Sequence, residues 1–303
     1  MKMYAVETDK LSRKFGKFIA VNEISMRIKK GSIYGFLGPN GSGKSTTIRM
    51  LCGILESTSG SGQVLGLDIA RESEEIKSKI GYMSQKFGLY EDLTILENLQ
   101  FYAGLYNLSR TDRRQRIEEM LEMAGLATRQ KQLAGSLSGG WKQRLALGCS
   151  IIHKPAMVLL DEPTGGVDPL SRRMFWDIIY QLTAIGTTFM VSTHFMDEAE
   201  HCDDLGFIYE GKMIATGTPA QLKATIPGKM LSIVTDSPMK LLAQFRDGQM
   251  PFNDAYVFGA SLRLLVDNGQ ESRFEEFSPE VISPTLENVF VHYAKLDPKE
   301  LTV

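Results

Sequence analysis

GPNGSGKST, residues Gly38 to Thr46, fits the spacing G-x-x-x-x-G-K-[ST] from Gly38 to Ser45. It follows IYGFL (33–37), an apolar run that reads as a strand, and precedes a stretch with Ile48, Leu51, Cys52 and Leu55 on one helical face. That spacing predicts a helix over Lys44 to Leu55. A glycine-rich turn between strand and helix is built to capture phosphate. Gly41 and Gly43 let successive backbone N–H groups point inward, and the new helix adds its positive N-terminus. The whole loop, from Gly38, Pro39 and Asn40 through Gly41, Ser42 and Gly43 to Lys44, Ser45 and Thr46, is expected to wrap a polyphosphate. Lys44 supplies a point charge to the outer phosphates, and the Ser45 hydroxyl is placed to ligate Mg²⁺.

A second stretch supplies the metal side of such a site. In MVLLDEP (157–163) an apolar strand ends in Asp161, a carboxylate that can hold Mg²⁺ directly or through water. The expectation is that this strand lies beside the phosphate loop. Glu162 follows at once and is the candidate base for an attacking water. A third stretch, LSGGWKQR (137–144), has a serine and two glycines opening a helix. It is a second anion-binding helix start in the same chain.

Composition sets the frame. The chain has 303 residues, 43% hydrophobic and 23% charged, ordinary for a globular protein of about two domains. Lys plus Arg is 34 and Asp plus Glu is 36, a net charge of −2 that excludes a polybasic or strongly acidic tail and weakens a nucleic-acid reading. Cys52, Cys149 and Cys202 form no CxxC pair, consistent with buried free thiols in a reducing compartment. MKMYAVETDKLSRKF has no apolar core of a leader, and no apolar stretch approaches the ~18–20 residues of a membrane span. The expectation is a soluble chain, free to sit on a membrane partner.

Along the chain, ISMRI, GQVLGLDI, KIGYMSQ, AMVLLDEP and TTFMVST read as strands, LGFIYEGKMIATG as a hairpin turning at Glu210–Gly211, and PLSRRMFWDIIYQLTA as an amphipathic helix. Between them, TILENLQFYAGLYN, TDRRQRIEEMLEMAG and SGGWKQRLALGCSII form a strand-free helical block, with Ser109 or Thr111 as N-cap of the second helix. Strands alternating with helices predict a mostly parallel α/β sheet with an inserted helical subdomain. Pro227–Gly228 looks like a boundary. KMLSIVT, PMKLLAQF, DAYVFGA, SLRLLVDN and PTLENVFVHYAKL then predict a small α+β domain whose last helix carries Leu286, Val289, Phe290 and Tyr293 on one face.

The order of these motifs resembles the ATP-binding cassette (ABC) ATPase family over about residues 3–225. GPNGSGKST looks like that family's Walker A, Gln85 in YMSQKFGLYEDLT like its Q-loop, and LSGGWKQR like its signature. MVLLDEP looks like Walker B, GGVDP around Asp168 like the D-loop, and His194 in VSTHFMDEAE like the switch histidine. The resemblance implies a P-loop ABC ATPase core over 1–226, with the helical subdomain at about 88–150 and an accessory domain at 227–303. It implies ATP and Mg²⁺ as ligands, an adenine stacked on Phe15, Mg²⁺ contacted by Ser45, Gln85 and Asp161, and catalysis by Lys44, Glu162 and His194. Ser138, Gly139 and Gly140 would touch the γ-phosphate of a second cassette, with Asp168 at that dimer contact. Two features depart from the common pattern: the D-loop, with Gly165 where Ser or Ala is more usual and Val167 where Leu is, and Trp141 in the signature. Trp141 resembles the drug-exporter branch, and the AVNEISMRIKKG stretch and the LENVF tail resemble bacterial drug-type and polysaccharide-type exporters. The implied protein is the ATPase subunit of an exporter, cytoplasmic and peripheral on the inner face of the membrane, working with a separate permease and no nucleic acid. A soluble ATPase acting on ribosomes or nucleic acid is the alternative, and its two-cassette chain and charged linker are not seen in this sequence. The segment 86–93, KFGLYEDL, exposes Phe87, Leu89 and Tyr90 and is expected to dock the permease.

Overall fold

Two bulged strands, β1 (Tyr4–Phe15) and β2 (Phe18–Lys29), open the chain as an antiparallel pair. The computed structural model describes residues 3–86 and 88–296. After β3 (Ile33–Leu37) and α1 (Lys44–Leu51), β4 (Ser59–Val64) and β5 (Leu67–Asp68) form a hairpin, followed by α2 (Ser73–Lys79) and β6 (Ile80–Met83). Three helices come next: α3 (Ile95–Leu105), α4 (Arg110–Met123) and α5 (Gly139–Ile151). The alternation resumes with β7 (Met157–Asp161), α6 (Pro169–Ala184), β8 (Thr188–Thr193), α7 (Met196–Ala199), β9 (Asp204–Tyr209) and β10 (Lys212–Gly217).

These elements form two sheets. One is four-stranded and antiparallel, in the order β2-β1-β4-β5; the other is six-stranded, in the order β10-β9-β3-β8-β7-β6, and parallel but for the β9–β10 hairpin. Every residue of β3, β7 and β8 is buried, as expected of strands covered on both faces. A shared core joins Val6, Ile24 and Ile28 of the first sheet to Phe36 of the second through Ile48 and Leu51 of α1. The phosphate-loop helix is thus clamped at its back, which fixes the loop at its front.

Several expectations change in detail. α1 stops at Leu51 rather than Leu55, because Gly53 adopts φ 67° and the Gly53 and Ile54 amides bond back to the Met50 and Arg49 carbonyls, a Schellman close. GQVLGLDI is two strands around a Leu65–Gly66 turn, both residues at positive φ. MDEAEHC is helical only over its first four residues. The sequence pattern does not mark β1 or the short stretch Glu280–Ile282 as strands, and both are. α3 begins at a Thr94–Glu97 capping box and α4 is capped by Ser109. All three cysteines are buried and free, and burial pushes their thiol pKa values up.

The described residues fall into two compact units, divided between Thr218 and Pro219. The division precedes Pro227 because α8 (Pro219–Ala224) belongs with the second unit, where it packs near the last helix. That unit contains β11 (Lys229–Val234), α9 (Pro238–Asp247), β12 (Asp254–Phe258), β13 (Ser261–Val266), β14 (Glu280–Ile282) and α10 (Leu286–Lys295). Its sheet runs β12-β13-β11-β14, all antiparallel, over a core of its own that includes Leu231, Leu242, Phe245, Leu264 and Phe274. On α10, Leu286 and Val289 are buried while Phe290 and Tyr293 are only half-buried.

At the end of α5, His153 stacks on Tyr106 with ring centroids 3.6 Å apart, and its Nε2 donates to the Ile80 carbonyl at 3.1 Å. Burial pushes its pKa down from 6.5 to about 4, and Arg116 adds to the shift. Protonation would place an N–H on Nδ1, which is buried without a partner. The unfolded chain therefore binds this proton more readily, so the stabilisation is full above pH 6.5 and is lost as pH falls toward about 4. His153→Phe, which keeps the stack, is expected to flatten the fall in unfolding free energy between pH 6.5 and about 5. Urea titrations at both pH values measure this, and an unchanged slope would place the acid sensitivity elsewhere.

Candidate active site

The loop after β3 closes around its own lysine. Lys44 Nζ donates to the Gly38 carbonyl at 2.7 Å and the Pro39 carbonyl at 3.0 Å, and stands 3.1 Å from Glu162 Oε1. Lys44 and Glu162 are both buried, so each charge is met by the other rather than by water. Gly43 shows why the loop needs a glycine there: φ is 108°, and a Cβ would lie 2.5 Å from the Ala20 carbonyl. Ser42 is buried and its hydroxyl has no partner. Asn40, Gly41, Gly43, Lys44, Ser45 and Thr46 line a cleft of about 430 Å³ together with Phe15, Phe18, Ala20, Gln85 and Glu162. Phe15 is 46% exposed, with the Arg13 guanidinium carbon 4.6 Å from its ring centre.

β7 does not neighbour β3: β8 lies between them. The two motifs still meet, because Ser45 Oγ donates to Asp161 Oδ1 at 2.9 Å. The same oxygen accepts from Ser192 Oγ on β8 at 2.8 Å. Ser45, Asp161 and Gln85 offer the hard oxygen donors that Mg²⁺ takes. Among the described residues no group of three His, Cys, Asp or Glu forms a metal cage. A divalent cation fits here as one that completes its shell with phosphate oxygens and water.

Glu162 adopts φ 49°, a left-handed conformation costing a side-chain-bearing residue about 1–3 kcal/mol. Its amide is held by the Ser192 carbonyl and hydroxyl, both at 3.1 Å. The turn aims the carboxylate at three partners: Lys44, Gln85 Nε2 at 3.2 Å and His194 Nδ1 at 3.3 Å. His194 is the first residue after β8, as expected. Gln85 meets Glu162 directly.

Ser138, Gly139, Gly140 and Asp168 do not line this cleft. Ser138 is exposed at the start of α5 and its side chain caps no amide of that helix. Asp168 caps α6, accepting from the Ser171 amide at 2.9 Å, and the hydrogen bonds from Ser171 hold its carboxyl below the usual range. Trp141 lies under two guanidinium groups, with Arg144 at 3.9 Å and Arg129 at 5.1 Å. In the segment 86–93, Tyr90 is exposed with its ring edge-on to Phe101, Leu89 is half-buried, and Phe87 lies outside the described residues.

Sequence reading missed Ser192, Gln143, Thr164 and Glu198. Ser192 was findable, since strand alternation places it on the same face as His194. Gln143 on α5 donates to the Pro163 carbonyl at 3.0 Å, and nothing in LSGGWKQR marks that reach.

Gly140 faces Ser171, where an added Cβ would lie 2.2 Å from the hydroxyl. Gly140→Ala is therefore expected to lower stability by about 1–3 kcal/mol, and Ser171→Gly in the same chain to recover much of it. Thermal unfolding without nucleotide reads both; an unaffected Gly140→Ala would contradict the contact.

The ABC transporter family pattern matches residues 21–165. A probable multidrug ABC transporter ATP-binding protein of Escherichia coli (strain K12) is 49% identical over 219 residues, which is 72% of this chain and 38% of the relative's own length. The linearmycin resistance ATP-binding protein LnrL of Bacillus subtilis (strain 168) is 39% identical over 233 residues, 77% of this chain and 75% of the relative. A solved dimeric ATP-binding cassette, in a post-hydrolysis state bound to ADP and Pi, superposes with a TM-score of 0.64 at 27% identity, covering 70% of this chain and 98% of that one. The fold is that of the ABC ATPase cassettes. A relative at 39% identity matched over 75% of its length is too much for a chance likeness: the chain belongs to the ABC transporter family.

Proposed function

We propose that the chain binds and hydrolyses ATP as the energising subunit of a membrane exporter for drug-like molecules. The observation that carries this is the meeting, at hydrogen-bond or ion-pair distance, of Lys44, Gln85 and His194 on the strained Glu162, next to Ser45 on Asp161. Each group has a task in phosphoryl chemistry. The loop amides and Lys44 bind the triphosphate, while Phe15 offers its open face to the adenine. Ser45, Asp161 and Gln85 would hold Mg²⁺, which supplies charge neutralisation on the phosphate oxygens. Glu162 takes the proton of the attacking water through its carboxylate, and His194 orients that carboxylate and reaches toward the γ-phosphate.

The start of α5 at Ser138, Gly139 and Gly140, with the first two exposed and no side-chain cap, is the part this cleft lacks. It serves the cleft of a second cassette, with Asp168 beside it, and a two-fold pair then closes both sites. The names of these relatives support transport of drug-like molecules. The passage through the membrane is assigned to a permease partner, with this chain working peripherally on the cytoplasmic face. Among the described residues no helix is long and apolar enough to cross a membrane. The permease contact is assigned to 86–93 and the adjoining Phe101 and Leu105, which are 42% and 60% exposed. The second unit, 219–302, is assigned to dimer contact or regulation.

Lys44→Ala is expected to weaken nucleotide binding, and Glu162→Gln to keep it while slowing hydrolysis on the order of 10²–10⁴-fold. With ATP and Mg²⁺, Glu162→Gln should elute from size-exclusion chromatography as a dimer; wild-type turnover in that variant would remove Glu162 from its role. Tyr90→Ala is expected to abolish transport in membranes holding the permease while basal hydrolysis by the isolated subunit stays within about twofold of wild type. Transport that survives would move the permease contact elsewhere.

A further inference from the structure

Glu198 is almost fully buried, at 1% exposure, on the four-residue helix α7. It belongs to none of the phosphate, metal or dimer groups above. Its carboxylate accepts a short hydrogen bond from the hydroxyl of Thr164, itself buried and two residues past Glu162. Arg172 of α6 brings its Nε to 3.5 Å of Oε1, and its guanidinium lies 4.7 Å from the ring of Phe195, the residue after His194. The imidazole of His194 lies 4.1 Å from that same ring. The carboxylate therefore holds the turn that carries Glu162 and, through Arg172 and Phe195, reaches the strand end that carries His194, against the helix that Asp168 begins.

The strain at Glu162 makes this grip consequential. A left-handed glutamate persists only where its surroundings over-determine it. The turn is pinned at three successive residues: Glu162 N by Ser192, the Pro163 carbonyl by Gln143, and the Thr164 hydroxyl by Glu198. To the Ser192 pin, which comes from the strand leading to His194, Glu198 adds a second tie toward His194 through Arg172 and Phe195. Burial holds its carboxyl above the usual carboxylate range against the hydrogen bond from Thr164. Such a costly buried acid at this point is in keeping with a positioning task.

We propose that Glu198 is a positioning residue for hydrolysis, setting the separation and aim of Glu162 and His194 through Thr164 and Arg172. This rests on the reading of Glu162 as the base. The test uses the full chain with Mg²⁺ and ATP, and compares Glu198→Gln, Thr164→Val and Thr164→Ser with wild type and with Glu162→Gln. The expected result is a kcat lower by on the order of tenfold to a hundredfold in Glu198→Gln and Thr164→Val. KM for ATP should stay within about twofold, since the loop around Lys44 is untouched. Thr164→Ser, which keeps the hydroxyl, should restore kcat, and the Glu198→Gln/Thr164→Val double variant should lose little beyond either single one. Wild-type kcat in both single variants, with Glu162→Gln inactive, would overturn the proposal and leave the base assignment standing. A parallel loss of kcat, nucleotide affinity and thermal midpoint would also overturn it, by making Glu198 a fold-stabilising residue only. An active Glu162→Gln would overturn the base assignment and the proposal together.

Discussion

Asp161 Oδ1 accepts two hydroxyls, Ser45 from the phosphate-loop helix and Ser192 from the strand between the two motifs. That pair of bonds is the constraint on which the site depends. Asp161 is 1% exposed, so its carboxylate must be satisfied inside the protein, and both available donors come from other elements. α1 cannot slide along the sheet, nor β8 shift its register against β7, without stranding a buried acid. A divalent cation held by Ser45 and Asp161 would replace the bond between them and keep the one from Ser192.

The second constraint is the mutual burial of Lys44 and Glu162. With two loop carbonyls also accepting from the lysine, the cation is fully engaged before any phosphate arrives. On the proposed reading, a triphosphate would draw Lys44 away from Glu162 and leave that carboxylate free to face water. The same logic makes Lys44 a structural partner as well as a ligand. Removing one member of a buried pair leaves the other uncompensated, which is usually more damaging than removing both.

What the sequence conveyed was local. The glycine spacing of 38–46, the buried run ending in Asp161 and the helix periods of α3 to α6 are short-range patterns, and each placed its element. What it did not convey depends on partners far along the chain. β1 went unread because its buried set, Ala5, Val6, Thr8, Leu11 and Ser12, breaks alternation at the bulge around Lys10, where φ is 48°. The position of β8 between β3 and β7 is a property of the sheet order. The pins on the Glu162 turn come from residues 143, 192 and 198, and no window of sequence brings those together.

The signature helix is where local chemistry and assembly separate. Gln143 and Arg144 are buried, Gln143 holds Pro163, and Trp141 lies against Arg144, so most of α5 is spent on its own chain. Only its first residues, Ser138 and Gly139, are left open, and Gly140 is wedged against Ser171. A helix start held this firmly, with amides uncapped by its own serine, is preorganised for an anion that its own cleft does not deliver. Gln143 ties that helix to the carbonyl immediately after Glu162. An anion seated on α5 from outside the chain would therefore bear directly on the turn that carries Glu162, which in the proposed dimer would let two copies of one fold sense each other's nucleotide.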